Sequence, residues 1–132
     1  MESEAARTVL ALVRGGSLEQ LDEFLEKDPS AIRGRDHHGN GVLHVACHSN
    51  NKRAIKFGLR RGLDINARNT AGQTPLHYCF AFGHAGLARY LVAKGADDAI
   101  KNRAGLTPYE GLRLHGAASR TEERVGYFKG GS

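Results

Sequence analysis

The sequence predicts an all-α repeat fold: a solenoid of helix hairpins joined by β-turn or hairpin loops, about four repeats long including two capping repeats. Three observations predict it. The first is register. Shifted by 33 residues, the chain brings Gly39, Gly72 and Gly105 into line, as it does Leu43 with Leu76, His44 with His77, and Thr74-Pro75 with Thr107-Pro108. The match continues through Phe57 and Tyr90, Gly62 and Gly95, Asp64 and Asp97, and Asn69 and Asn102, so whole structural units recur. The second is that helix start and stop signals fall at matching places in these units. The third is composition: 132 residues with 40% apolar and 25% charged content suit one small domain, and no apolar run approaches the ~18 to 20 residues needed to cross a bilayer.

Residues 69–101 show how one unit is built. Asn69-Thr70-Ala71-Gly72 is turn chemistry, and Thr74 is a good N-cap. Pro75 suits the first helical position because the N–H it lacks would be unpaired there. The first helix therefore starts at Pro75 and runs through an apolar stretch to Phe82, where Gly83-His84 breaks it. Leu87, Tyr90, Leu91 and Lys94 recur at helical spacing before Gly95 ends a second helix. The stretch from Asp64 to Gly72 is extended and closes in a glycine turn, which reads as a projecting β-turn or hairpin.

These features resemble the ankyrin repeat family through GQTPLH at 72–77, GH at 83–84, GADD at 95–98, GLDINA at 62–67 and NRAGLTPYE at 102–110. The resemblance implies an amino-terminal capping repeat at about 5–35, full repeats at 36–68 and 69–101, and a closing one at 102–118, within a domain spanning 1–118. Residues 119–132 would be an extension ending in Gly-Gly-Ser. Such a stack buries its core only between neighbours, so its end units are atypical. At the front, Ser17-Leu18-Glu19-Gln20 reads as a capping box opening a helix through Lys27, and Asp28-Pro29 stops it. At the back, Glu110 replaces the repeat histidine, and Gly111 and Arg113 replace small apolar residues. Ser119 with Glu122 offers one last helix start, with Tyr127 and Phe128 as its anchor. The second repeat has Gly41-Val42 in place of Thr-Pro and Asn50-Asn51 in place of Gly-His, so its helix ends are expected to be less well fixed.

The same register bears on candidate chemistry. His37, His38, His44, Cys47 and His48 have donor atoms suited to zinc, but His44 matches His77 and resembles the family's buried TPLH histidine, and turn and helix project differently. No metal is expected. Cys79 aligns with Ala46 in a core slot, where a thiol is unreactive. No glycine run is followed by the lysine and hydroxyl of a phosphate loop. Asp97-Asp98 and Glu122-Glu123 are better explained by capping and solvation than by acid–base work. The sequence thus predicts no catalytic residue, cofactor, small-molecule ligand or membrane contact. His44, His77, Thr74, Pro75, Thr107, Pro108, Gly39, Gly72 and Gly105 are assigned structural roles.

What remains is a binding face. Arg35, Arg68 and Lys101 recur at 33-residue intervals and should stack as a ladder with rungs about 10 Å apart, facing an acidic or phosphorylated partner. The family's variable contact positions map onto His37, His38, Asn40, His48 and Ser49, then Thr70, Ala71, Gln73, Ala81 and Phe82, then Arg103, Ala104, Leu106, Leu114 and His115. Phe82 is the expected anchor, because aromatics dominate interface energies. Asn66 occupies a slot resembling the family's hydroxylatable asparagine, whose ordinary role is to hydrogen-bond the turn. The resemblance implies a non-catalytic adapter that binds another protein through its concave face, as a subunit of a larger assembly. The alternative is a basic accessory protein on nucleic acid or a ribonucleoprotein: the net charge of +5 allows it, yet no recognition motif supports it. Two cysteines do not make a disulfide framework, and Glu2 and Glu4 beside Arg7 fit no signal or transit peptide, so an intracellular protein, cytoplasmic or nuclear, is expected.

Overall fold

Adjacent helices pair because each carries one apolar stripe that a neighbour must cover. The computed structural model describes residues 3–111. It places helices α1 (Glu4–Gly15), α2 (Leu18–Lys27), α3 (Val42–His48), α4 (Lys52–Arg60), α5 (Pro75–Ala81) and α6 (Ala85–Ala93), with a 3-10 turn at Pro29–Arg33 and no strand among the described residues. α1 packs on α2, α3 on α4 and α5 on α6, while α3 also packs against α1 on one side and α5 on the other. The first helices of successive hairpins therefore form one stacked layer. Leu10, Leu21, Leu25, Ile55, Leu76 and Leu91 are almost fully buried in the shared core, each contributing about 2 kcal/mol by leaving water.

Local chemistry sets the helix limits. α1 begins where Ser3 Oγ accepts the Ala6 N–H at 3.0 Å, and its Ala6, Val9, Leu10 and Val13 form a buried stripe at helical spacing. It ends at Gly16, whose φ of 77° is left-handed. The capping box expected at Ser17 is not formed: its side chain makes no cap bond. The Ser17 N–H, which Gln20 would need to reach, is already bonded to the Leu12 carbonyl at 3.1 Å in the closure of α1. α2 nevertheless runs from Leu18 through Lys27, the residue where the sequence ends it. α5 starts at Pro75 with Thr74 as its cap.

The second repeat differs from its expectation in an informative way. α3 and α5 each span seven residues, so Gly41 in place of threonine has not shortened α3. Asn50 takes the left-handed conformation, φ 54°, that Gly83 holds one repeat later at 76°. Asn51 then does what His84 does not: its Oδ1 accepts the Ala54 N–H at 3.1 Å and caps α4. Its Nδ2 also donates to the Val13 carbonyl at 3.4 Å, tying the second hairpin to α1.

Three equivalent turns project before the helix layer. Asp36, Asn69 and Asn102 use a side-chain oxygen to accept N–H groups two and four residues on, at 2.8 to 3.1 Å. Gly39, Gly72 and Gly105 close the turns at φ 79°, 77° and 79°. Only glycine suits these positions, because a Cβ on Gly39 would also come within 2.8 Å of the Thr70 nitrogen in the next turn. The turns zip together: the Thr70 N–H donates to His38 O at 3.0 Å and the Arg103 N–H to Ala71 O at 2.9 Å. The proposed closing helix around Ser119 and Glu122, the Tyr127 and Phe128 anchor, Arg113, Leu114, His115 and the domain boundary at 118 lie outside the described residues.

Asn51→Ala is expected to cost about 1 kcal/mol, as N-cap losses do, whereas Ser17→Ala should change stability by less than about 0.5 kcal/mol. Urea unfolding of the two variants beside the parent chain checks this, and a larger loss from Ser17→Ala would contradict the assignment of the caps.

Candidate functional site

The helix layer and the turns are joined by two histidines that hold successive repeats in register. In the second repeat, His44 Nδ1 accepts the Gly41 N–H at 3.2 Å while Nε2 lies 2.9 Å from the Gln73 carbonyl in the third. A carbonyl only accepts, so Nε2 carries the proton and the ring is neutral. His77 repeats the arrangement: Nδ1 takes the Thr74 N–H at 3.1 Å and lies 2.9 Å from Thr74 Oγ1, and Nε2 donates to Leu106 O at 2.9 Å. Burial pushes the His44 pKa down to about 4 and lowers that of His77, since the charged ring would sit in a poorly solvating interior. In the next unit Glu110 takes the capping half of the role, its Oε1 accepting the Thr107 N–H at 3.0 Å. Pro108 is buried beside it.

The cationic ladder is tied to itself. Arg35 Nη1 donates to its own turn at Gly39 O, 2.7 Å, and to Arg68 O, 2.9 Å. Arg68 does the same one repeat on, with Nε to Gly72 O at 3.2 Å and Nη2 to Lys101 O at 2.9 Å. Both arginines and Lys101 are exposed. Carbonyl acceptors fix the guanidinium heads without cancelling their charge, so the arginines act as inter-repeat clasps and still project a positive field.

The other surface candidates sort by where their side chains go. His37 and His38 are exposed at the first turn with ring centroids 4.0 Å apart. Thr70, Lys101 and Arg103 are exposed, and Gln73 and Leu106 are half-buried. Asn40 is different. Its Oδ1 accepts from Asn69 Nδ2 and Tyr78 Oη, both at 2.8 Å, and its Nδ2 donates to Asp36 Oδ2 at 3.3 Å. The side chain expected to meet a partner is instead buried inside the scaffold. Burial pushes the Asp36 pKa up, but N–H donors from Asn40 and His38 outweigh it and hold the carboxyl below its usual range. Asn66 Oδ1 accepts the Asp97 N–H of the following repeat at 2.8 Å, a link across repeats.

Phe82 is 49% exposed, the large hydrophobic side chain most open to solvent among the described residues. It closes α5, and its ring sits edge-on to His48 at 4.3 Å and 6.0 Å from Tyr78. His48 is exposed at the end of α3 and its carbonyl lies 3.2 Å from His84 Nε2. Two first helices thus contribute to one aromatic patch. Tyr78, which lines this patch and anchors the Asn40–Asn69 network, was not singled out from the sequence; its place one turn before Phe82 on α5 was the available signal.

Cys47 and Cys79 are free and fully buried. Burial, then the neighbouring Cys79 thiol, pushes Cys47 well above its usual range, which keeps it a neutral thiol. The histidines of the second repeat do not converge: no group of three or more histidine, cysteine or acidic residues among the described residues could hold a metal. No helix among them is long and apolar enough to cross a membrane.

Residues 8–102 match the profile described as Ankyrin repeats (3 copies). The chain belongs to the ankyrin repeat family. Ankyrin repeats are protein-interaction modules, generally without catalytic activity of their own. This ankyrin repeat chain is 35% identical over 96 residues to human Protein phosphatase 1 regulatory subunit 27, covering 73% of the chain and 62% of that protein. It is 38% identical over 84 residues to ADP-ribosylation factor GTPase-activating protein AGD2 of Arabidopsis thaliana, covering 64% of the chain and 11% of the relative. Target of rapamycin complex 2 subunit AVO2 of Saccharomyces cerevisiae is 27% identical over 104 residues, 76% of the chain and 24% of the relative. The chain therefore spans less than two thirds of the length of these relatives.

The His44 geometry gives a pH signature. An unfolded histidine near 6.5 binds its proton well before the folded one at about 4, so stability is complete above the unfolded value and is lost as pH falls between the two. The loss from this group should reach roughly 3 kcal/mol, with His77 acting in the same direction. Urea midpoints at pH 7, 5.5 and 4.5 test it, and a flat profile from pH 7 to 5 would contradict the buried neutral ring.

Proposed function

We propose that this chain is a non-catalytic adapter that captures a partner protein on its concave face, formed by the turn tips and first helices, and serves as a subunit of a larger assembly. The observation that carries the reading is the Phe82, His48 and Tyr78 patch: a half-exposed aromatic held in place by two others is ready to bury its area without first being ordered. His37, His38, Thr70, Gln73, Arg103 and Leu106, all on the turn segments, are proposed to contact the partner as well, as are Leu114 and His115. Arg35, Arg68, Lys101 and Arg103 supply the field that would draw an acidic or phosphorylated segment, raising the association rate in a salt-dependent way. The unit so proposed comprises residues 1–118. The naming of one relative as a phosphatase regulatory subunit and of another as a complex subunit supports an adapter role. Free buried thiols at Cys47 and Cys79 fit an intracellular setting.

Recovery of the native partner from cells with the tagged chain, followed by affinity measurement, tests this. Phe82→Ala should weaken capture by about tenfold or more, the cost of losing an aromatic anchor of at least 1.4 kcal/mol, without altering the unfolding midpoint. Unchanged capture would remove Phe82 from the interface. Across 50 to 200 mM salt the affinity should fall by less than about tenfold; a loss of 10³-fold or more would instead indicate nucleic-acid phosphate binding.

A further inference from the structure

A second cluster of positive charge lies on the second helices of the hairpins. α4 carries Lys52, Lys56 and Arg60 at four-residue spacing, which places them on one side over about 12 Å. α6 contributes Tyr90, and Lys94 is its C-cap. Lys56, Leu59, Arg60, Tyr90 and Lys94 line a groove of about 360 Å³. Three ammonium groups gather over the Tyr90 ring: Lys52 at 4.5 Å from its centroid, Lys94 at 5.7 Å and Lys56 at 5.8 Å.

Two features set this groove apart from an ordinary solvated face. All four cations are exposed, and none lies within 4.0 Å of a carboxylate among the described residues. The adjoining groove between α2 and α4, about 490 Å³, has the opposite character: Glu19 and Asp22 share its lining with Arg53, Lys56 and Arg60, and Arg61 pairs with Asp22. Carboxylates enter the lining on one side of α4, and none lines the groove on the other. The π-face of Tyr90 draws the ammonium groups inward, but it cannot cancel three positive charges. A compact polyanion can, with two or more donors reaching different oxygens of one group.

We propose that the groove between α4 and α6 binds a compact, multiply charged phosphate group, of the kind borne by a phosphorylated small molecule or a lipid headgroup. Lys56 and Arg60 hold it from one helix and Lys94 from the other, while Tyr90 keeps the lysines converged. Such a site departs from the sequence reading, which expected no small-molecule ligand, and it is independent of the aromatic patch that carries the adapter reading.

Calorimetric titration of the full chain with inorganic tripolyphosphate tests it, with amide chemical-shift mapping alongside. Binding should be saturable, with shifts confined to residues 52–60 and 90–94. Lys56→Glu and, from the other helix, Lys94→Ala should each weaken it, by at least tenfold for the charge reversal and at least threefold for the truncation. Arg7→Glu, an equal charge reversal at an exposed position of α1, should change it by less than twofold. Sedimentation with phosphatidylcholine vesicles containing either phosphatidylinositol bisphosphate or phosphatidylserine separates the sources. Capture by the bisphosphate vesicles alone assigns a lipid headgroup, and tripolyphosphate binding without vesicle capture assigns a soluble phosphate ligand. Absent tripolyphosphate binding, equal weakening by Arg7→Glu, or capture of an oligothymidylate in place of tripolyphosphate would each overturn the proposal.

Discussion

The neutral imidazole that points both backward and forward is the constraint on which the rest of the structure depends. His44 and His77 each accept an N–H within their own repeat and donate to a carbonyl of the next. One ring therefore fixes where a helix begins and how far the following turn sits from it. Because both functions need one particular tautomer, the ring must stay uncharged, and burial enforces that. Arginine clasps and zipped turn backbones add further links along the same line. The outcome is a rigid row of side chains whose spacing is set by the scaffold, which is what a small interaction surface requires if it is not to spend binding energy on ordering itself.

The sequence made the layout legible because the signals are local and repeated. A glycine that must adopt positive φ, a threonine three residues before a histidine and a proline at a helix start act within a few residues, so alignment of one unit with the next exposes them. Long-range commitments were less visible. Asn40 has the look of a surface contact until Asn69 and Tyr78, from the following repeat, converge on it. The arginine ladder could be counted from its 33-residue interval, but its acceptors are backbone carbonyls, which leave no trace in residue identity. Ser17 carries the residues of a capping box, yet the one-residue junction behind Gly16 uses its N–H to close α1. In Asn50-Asn51 a departure from the family pattern concealed a substitute cap, and in Glu110 a departure concealed a substitute acceptor.

The two faces of the hairpins have different physical characters. Near the turns, positive charge is organised by carbonyl acceptors, and at the far end of the first helices a half-exposed phenyl ring packs on His48 and Tyr78. On the second helices, lysines converge on one tyrosine, and none of them has a carboxylate within 4.0 Å among the described residues. This cluster escaped notice in the sequence because Lys52, Lys56 and Lys94 are scattered in a basic chain, and only the packing of α4 beside α6 brings them over one ring.

Cys47 and Cys79 lie where α3 and α5 meet, fully enclosed and within hydrogen-bonding reach of each other. Reagents can reach either sulfur only when the seam between the second and third repeats parts. The speed at which an alkylating probe labels them therefore measures how often that seam breathes rather than how reactive the thiols are, and the molecule carries its own internal clock for the cohesion of neighbouring units.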